Sequence, residues 1–391
     1  MEGTRIQPAI LAIAACGIAG IVVAAAAYGS VRVAGAGAIG ALAGIALYHA
    51  AFGFTFAWRR MVTERRGAGL RAQTLLIAAT AVVSIPLIAH GDEIGLATRG
   101  FVFPFGVSAA IGAALFGLGM QLGGGCGSGT LYTAGGGSSR MMVTLAAFIA
   151  GSLLATAHFP FWRALPAVGP TSLVSELGSG AALALTLALV GSTWLASLVI
   201  ERRRHGRIAD PRTTGSWLAG PWSMTAGALA LAAVGIATLV VVGRPWGITS
   251  GFALWGAKMA DASGIAVTDW PYWRGQAGAI RRSVFADTTS VMNFGLILGA
   301  MMAAALAGRF RPKARITATD LVTAIAGGVM MGYGARLAFG CNIGGFLGGV
   351  ISASLHGWWW LVFGFLGSIA GTRVRQWIGM DPRATAVARA A

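Results

Sequence analysis

One motif occurs twice in this chain. Residues 117–129 read GLGMQLGGGCGSG, and residues 332–344 read GYGARLAFGCNIG. At a constant offset of 215, Gly117 matches Gly332, Gly119 matches Gly334 and Leu122 matches Leu337. Gly125 then matches Gly340, Cys126 matches Cys341 and Gly129 matches Gly344. Each copy closes a long apolar run. Two halves that each end a hydrophobic helix in a Gly-Cys turn constrain the chain to a duplicated membrane fold, which reads first as a transporter.

The rest of the chain fits that constraint. Of its 391 residues 56% are hydrophobic and only 10% are charged, against roughly 25% charged in soluble domains. Apolar runs long enough to cross a hydrocarbon core of ~30 Å recur throughout. Ten spans are expected, at 8–28, 31–50, 70–90, 104–123, 140–158, 179–200, 222–243, 284–307, 319–338 and 356–378. The first run, Ile6–Tyr28, reads as a span rather than a cleaved leader. Shorter apolar pieces at 51–58, 126–139, 251–260 and 341–353 read as re-entrant half-helices, tolerated at membrane depth only inside protein or beside a polar cavity. The expected fold class is therefore an all-α polytopic membrane protein in one domain covering 1–391.

A weaker likeness extends the repeat. Gly53-Phe54, Trp58 and Met61 resemble Gly251-Phe252, Trp255 and Met259. The halves are then 31–158 and 222–378, with the first span outside the repeat and the span at 179–200 connecting them. Charge sets the orientation. With Trp58–Arg71 in the cytoplasm, 19 of the 29 Lys and Arg fall on the cytoplasmic side. They are Arg5, Arg59, Arg60, Arg65, Arg66, Arg71, Arg202, Arg203, Arg204, Arg207, Arg212, Arg309, Arg311, Lys313, Arg315, Arg373, Arg375, Arg383 and Arg389. Positive-inside topology accounts for this bias, and with it for most of the net charge of +17, so nucleic acid is excluded as a partner and the bilayer takes its place. Both termini face the cytoplasm in this reading. The motif spans then run in opposite directions, as in an inverted repeat.

The Gly-Cys turns are the candidate site. Clustered glycines let backbone N–H groups approach a bound group, and a helix N-terminus favours an anion. The segments Gly123–Gly129 and Gly340–Gly345 fit that use, which nominates Gly124, Gly125, Gly127, Gly129, Gly340, Gly344 and Gly345; helix packing is the competing use of the same glycines. The chain has only three cysteines. Cys16 lies in an apolar span, where a thiol is usually a small hydrophobe. Cys126 and Cys341 stand at equivalent turns and suit a sulfur-bearing ligand, either as weak S–H donors or as transient thiolates. No disulfide, zinc or cofactor pattern is present, and no P-loop. Arg336 and its counterpart Gln121 lie beside the motifs, where a cation meets an anion or snorkels. Asn342 can donate to an oxyanion. Single histidines at helix ends, His49, His158 and His356, are usually bonded to a backbone neighbour. Trp270–Trp273 and Trp358–Trp360 read as interfacial aromatics.

At these residues the chain resembles the YeeE/YedE family of bacterial inner-membrane sulfur-compound permeases. GGGCGSG at 123–129, FGCNIGG at 339–345, Cys16 in the first span and the Gly/Ala-rich layout carry the resemblance. It implies an inverted-repeat fold with short half-helices that passes thiosulfate, or a related sulfur anion, along cysteines in a narrow path. It gives Cys126 and Cys341 the two pathway roles and Cys16 a first-helix role. It also implies a small sulfurtransferase-type partner on the cytoplasmic side, and leaves other sulfur or selenium species open as cargo. The basic loop at 201–212 and the Trp-rich segment at 262–282 match none of its motifs. The expected function is transport rather than catalysis. The alternative is a thiol-disulfide oxidoreductase using Cys126 and Cys341 as a redox pair, against which stand the lack of Cys-x-x-Cys and of any quinone, flavin or haem signature.

Overall fold

A computed structural model describes residues 6–209, 214–312 and 316–380. Arg5, Arg212, Lys313, Arg315, Arg383 and Arg389 of the charge count lie outside the described residues. α1 (Pro8–Tyr28) is followed by α2 (Val31–Ala50), α3 (Phe54–Glu64), α4 (Ala68–His90), α5 (Val107–Gly123), α6 (Gly127–Gly135) and α7 (Ser139–Arg163). A short α8 (Leu173–Leu177) leads into α9 (Ser179–His205). Then come α10 (Met224–Val242), α11 (Thr249–Ala262), the short α12 (Ala277–Arg281), α13 (Thr288–Leu306) and α14 (Ala318–Leu337). A π-helical turn, Asn342–Leu347, continues into α15 (Gly348–Val350), and α16 (Leu355–Trp377) follows. The only sheet among the described residues pairs Phe105–Gly106 with Ala167–Val168.

Nine helical runs among the described residues are long and apolar enough to cross a membrane. The tenth expected span is α16, which has 23 residues but is not among the nine; His356 and Trp358–Trp360 make its first turns less apolar than the others. Polar caps start several helices where apolar sequence begins. Ser30 accepts from the Val33 amide, Ser223 from Ala226, Asp287 from Ser290 and Thr317 from Asp320. Each cap satisfies one of the free amides of a first turn.

The long helices pack across the halves rather than within them. α7 lies along α14, α16 along α5, and α5 crosses α14. Glycines set the crossing distance. A Cβ on Gly112 would stand 2.7 Å from the Gly334 carbonyl oxygen, and one on Gly119 would stand 2.8 Å from that of Gly327. Gly112 and Gly327 are 215 apart in sequence, as are Gly119 and Gly334, so the two contacts are the same contact with the halves exchanged. A like pair of contacts lies outside the crossing, one residue out of that register. A Cβ on Gly117 would meet the Ser368 amide at 2.8 Å, and one on Gly332 would meet the Ser152 amide at 2.6 Å.

The basic segments gather at one end of the bundle. The fully buried Glu201 carboxylate accepts from Arg66 at 3.1 Å, Arg71 at 2.8 Å, the Gly67 amide at 3.0 Å and the Ala209 amide at 3.1 Å. His205 bonds the Glu64 carbonyl at 2.8 Å. Gln7 bonds the Phe310 backbone in both directions at 3.0 Å. A Cβ on Gly136 would touch Tyr48 and one on Gly137 would lie 3.4 Å from the Arg311 amide, so the α6–α7 turn packs on the end of α2 and on the segment after α13. One ring of each Trp cluster differs from expectation. Trp360 is fully buried, stacks on Phe346 and donates to the Gly340 carbonyl at 3.1 Å. Trp273 is buried and donates to Thr156 Oγ1 at 3.0 Å. Both rings fill the core between helices, where an indole N–H must find an acceptor.

Candidate functional site

The two Gly-Cys turns meet at the middle of the bundle. α5 ends at Gly123, and Gly124 reverses the chain at φ +87°. Its counterpart is Phe339, held at φ +55° at the end of α14, a conformation that a bulky residue adopts only under surrounding constraint. Each turn then places its cysteine at the cap position of the next short helix. Cys126 has φ −80°, ψ −167° before α6, and Cys341 has φ −98°, ψ −167° before the π turn. The Thr130 amide bonds the Cys126 carbonyl at 2.8 Å, and the Gly345 amide bonds that of Cys341 at 2.7 Å.

The two cysteines are 1% and 0% exposed and form no disulfide. Cys341 packs against the residue that follows Cys126. A Cβ there would lie 3.0 Å from Cys341 Sγ, and Gly127 follows Cys126 directly. A Cβ on Gly129 would meet Cys126 Sγ at 3.5 Å. Cys126 Sγ lies 3.5 Å from Ser128 Oγ. Ile248, in the link between α10 and α11, closes one wall, its Cγ2 3.6 Å from the same Gly127 point. Asn293 of α13 fixes that link by donating to the Ile248 carbonyl at 2.9 Å.

The other expected residues divide. Gly344 stays open, its nearest neighbour beyond the chain's own turn being the Gly247 Cα at 3.7 Å from a built Cβ. Gly125 and Gly340 serve the turns, each facing the backbone of its own following turn, at residues 129–130 and 344–345. Gly345 seats the Trp360 ring and Gly124 the Arg140 guanidinium. Gln121 joins helices: its Nε2 donates to Ser368 Oγ at 2.8 Å and to the Thr55 carbonyl at 3.1 Å. Arg336 is buried and donates to Tyr272 at 3.1 Å and Thr249 at 2.8 Å. Cys16 is exposed on α1, apart from the buried pair. His356 bonds the Ala338 carbonyl at 3.1 Å and His158 the Tyr333 hydroxyl at 3.0 Å. His49 packs its ring on Trp222.

Sequence reasoning passed over Ser128, Thr130, Ile248 and Asn293. Asn293 carried a usable signal, since it is a lone amide in the apolar run VMNFGLIL, and an intramembrane polar group marks a site by default. Ile248 carried none.

A family model described as sulphur transport matches residues 49–370. A probable transporter YedE of Salmonella typhimurium is 29% identical over 161 residues, 40% of this chain and 39% of that protein; the chain thus spans well under half of that relative. A thiosulfate transporter TsuA of Spirochaeta thermophila is 30% identical over 272 residues, 67% of this chain and 76% of the relative. A thiosulfate transporter TsuA of Escherichia coli is 27% identical over 350 residues, 84% of this chain and 90% of the relative.

Proposed function

We propose, from the premise that this chain belongs to the sulphur transport family, that it is an inner-membrane permease for thiosulfate or a closely related sulfur anion. The observation that carries the reading is the thiol pair. Two cysteines from matched turns are buried in the bundle, and Cys341 packs against Gly127, the residue after Cys126. A dianion brought there needs donors in place of water. The amides of the first turn of α6 and the two thiols supply them, a neutral S–H giving its hydrogen bond to the terminal sulfur. A thiolate would repel the same anion, so the cargo moves by exchange of hydrogen bonds, with no covalent bond made or broken. The path takes in Cys126, Cys341, Gly127, Gly129, Asn342 and Gly344. Cys16 enters only by resemblance.

The reciprocal glycine contacts and the paired φ values at Gly124 and Phe339 support an inverted repeat of 31–158 and 222–378. The gathering of Arg66, Arg71 and Arg202–Arg207 at one end supports a cytoplasmic placement of that end. A sulfurtransferase-type protein waiting on that face would keep inward flow favourable by consuming the cargo.

The test is uptake of radiolabelled thiosulfate in cells lacking every other route. Cells expressing the chain accumulate label above empty-vector cells, and a periplasm-only reporter inserted after Gly67 stays silent. Uptake equal to the empty vector overturns the permease reading, and an active reporter overturns the orientation.

A further inference from the structure

The two thiols stand in chemically different half-sites. Positions 128 and 130 of α6 are Ser and Thr; the equivalent positions 343 and 345 of the second turn are Ile and Gly. Position 127 is Gly, and its equivalent is Asn342. The backbone differs too, α-helical after Cys126 and π-helical after Cys341, and single π turns concentrate at functional sites.

Two of these polar side chains lack partners. Thr130 and Asn342 are each 0% exposed. Thr130 Oγ1 and both Oδ1 and Nδ2 of Asn342 have no hydrogen-bond partner among the described residues. A buried amide with neither of its groups bonded is strongly unfavourable, and such a group is kept where a ligand completes it. A Cβ on Gly127 points at Cys341 Sγ, 3.0 Å away. Asn342 directly follows Cys341, and Thr130 stands one turn beyond Cys126, its amide on the Cys126 carbonyl at 2.8 Å. Ile248 lies 3.6 Å from the same Gly127 point, and Ile343 is two positions beyond Cys341.

We infer that the two turns read the two ends of the cargo with different groups: Asn342 and Thr130 donate to the oxygen-bearing end, and the bare sulfur rests against the thiols and the alkyl wall of Ile248. This rests on the permease reading above. Sulfonate oxygens are compact acceptors that take N–H and O–H bonds, and a terminal sulfur is diffuse, weakly hydrated and suited to a thiol and alkyl wall. Thr130 and Asn342 thereby set specificity for an anion with unlike ends.

The test uses Asn342→Leu and Thr130→Val, which keep shape and remove the donors. Each raises the KM for thiosulfate about 10-fold or more, the loss expected for a hydrogen bond to a charged group. The preference between thiosulfate and selenosulfate, which differ only at the bare end, stays as in the unaltered chain. Thr130→Ser restores the hydroxyl and the KM, which separates donor loss from misfolding. KM values within about twofold of the unaltered chain overturn the assignment. A changed thiosulfate-to-selenosulfate ratio also overturns it, by putting these donors on the bare sulfur. No uptake by the unaltered chain overturns the permease reading and this one together; uptake with unmoved variants overturns this one alone.

Discussion

The Cys126→Ala, Cys341→Ala double variant loses thiosulfate uptake down to background and still reaches the membrane as a folded protein. Alanine keeps the small apolar volume of a buried thiol and removes its S–H donor and its soft surface. Both side chains are buried and form no disulfide, so none is lost with them. Neither single variant retains more than about one tenth of the activity, because Cys341 packs against the residue that follows Cys126 and one thiol without the other leaves the dianion half solvated. Uptake and detergent-solubilised yield are measured on the same preparations. Full uptake by the double variant removes the thiols from the mechanism. Loss of both uptake and yield shows that the cysteines serve packing.

Gly332→Val, by contrast, prevents the chain from folding. The new Cβ would press on the Phe148 carbonyl and stand 2.6 Å from the Ser152 amide. Both obstacles are backbone of α7, which runs the length of α14 and has no free end to swing away. Overpacking in ordinary cores costs about 1–3 kcal/mol when side chains can shift; here nothing flexible is available to yield. Gly180→Val is the matched control, since no atom lies within 4 Å of a Cβ at Gly180. Size-exclusion yield after solubilisation decides the matter. A monodisperse Gly332→Val protein at control yield contradicts the close packing of α7 on α14.

Most of the scaffold was legible because membrane spans and their interruptions are written in composition. The expected spans at 31–50 and 319–338 fall on α2 (Val31–Ala50) and α14 (Ala318–Leu337) almost residue for residue. The short pieces expected at 126–139 and 341–353 contain α6 and the π turn with α15. The doubled motif led to Cys126 and Cys341 because two matched thiols in a chain with three are hard to reach by drift. What stayed hidden was direction. Nothing in GARLAFG tells that Arg336 turns to Tyr272 and Thr249 rather than to the cysteines. Nor does a run of three tryptophans reveal that Trp360 stacks in the core on Phe346; composition alone places such a run at an interface. Ile248 became part of the site only through the fold, which lays the α10–α11 link over Gly127.

The central claim is that the anion passes the thiol pair whole. Thiosulfate carrying different sulfur isotopes at its two positions, offered to proteoliposomes that contain only this chain, tests it most directly. Intact transfer delivers both isotopes to the lumen in equal amounts, joined in thiosulfate, with no sulfite left outside. One isotope retained on Cys126 or Cys341, with sulfite released on the entry side, contradicts it and gives the thiols a covalent role.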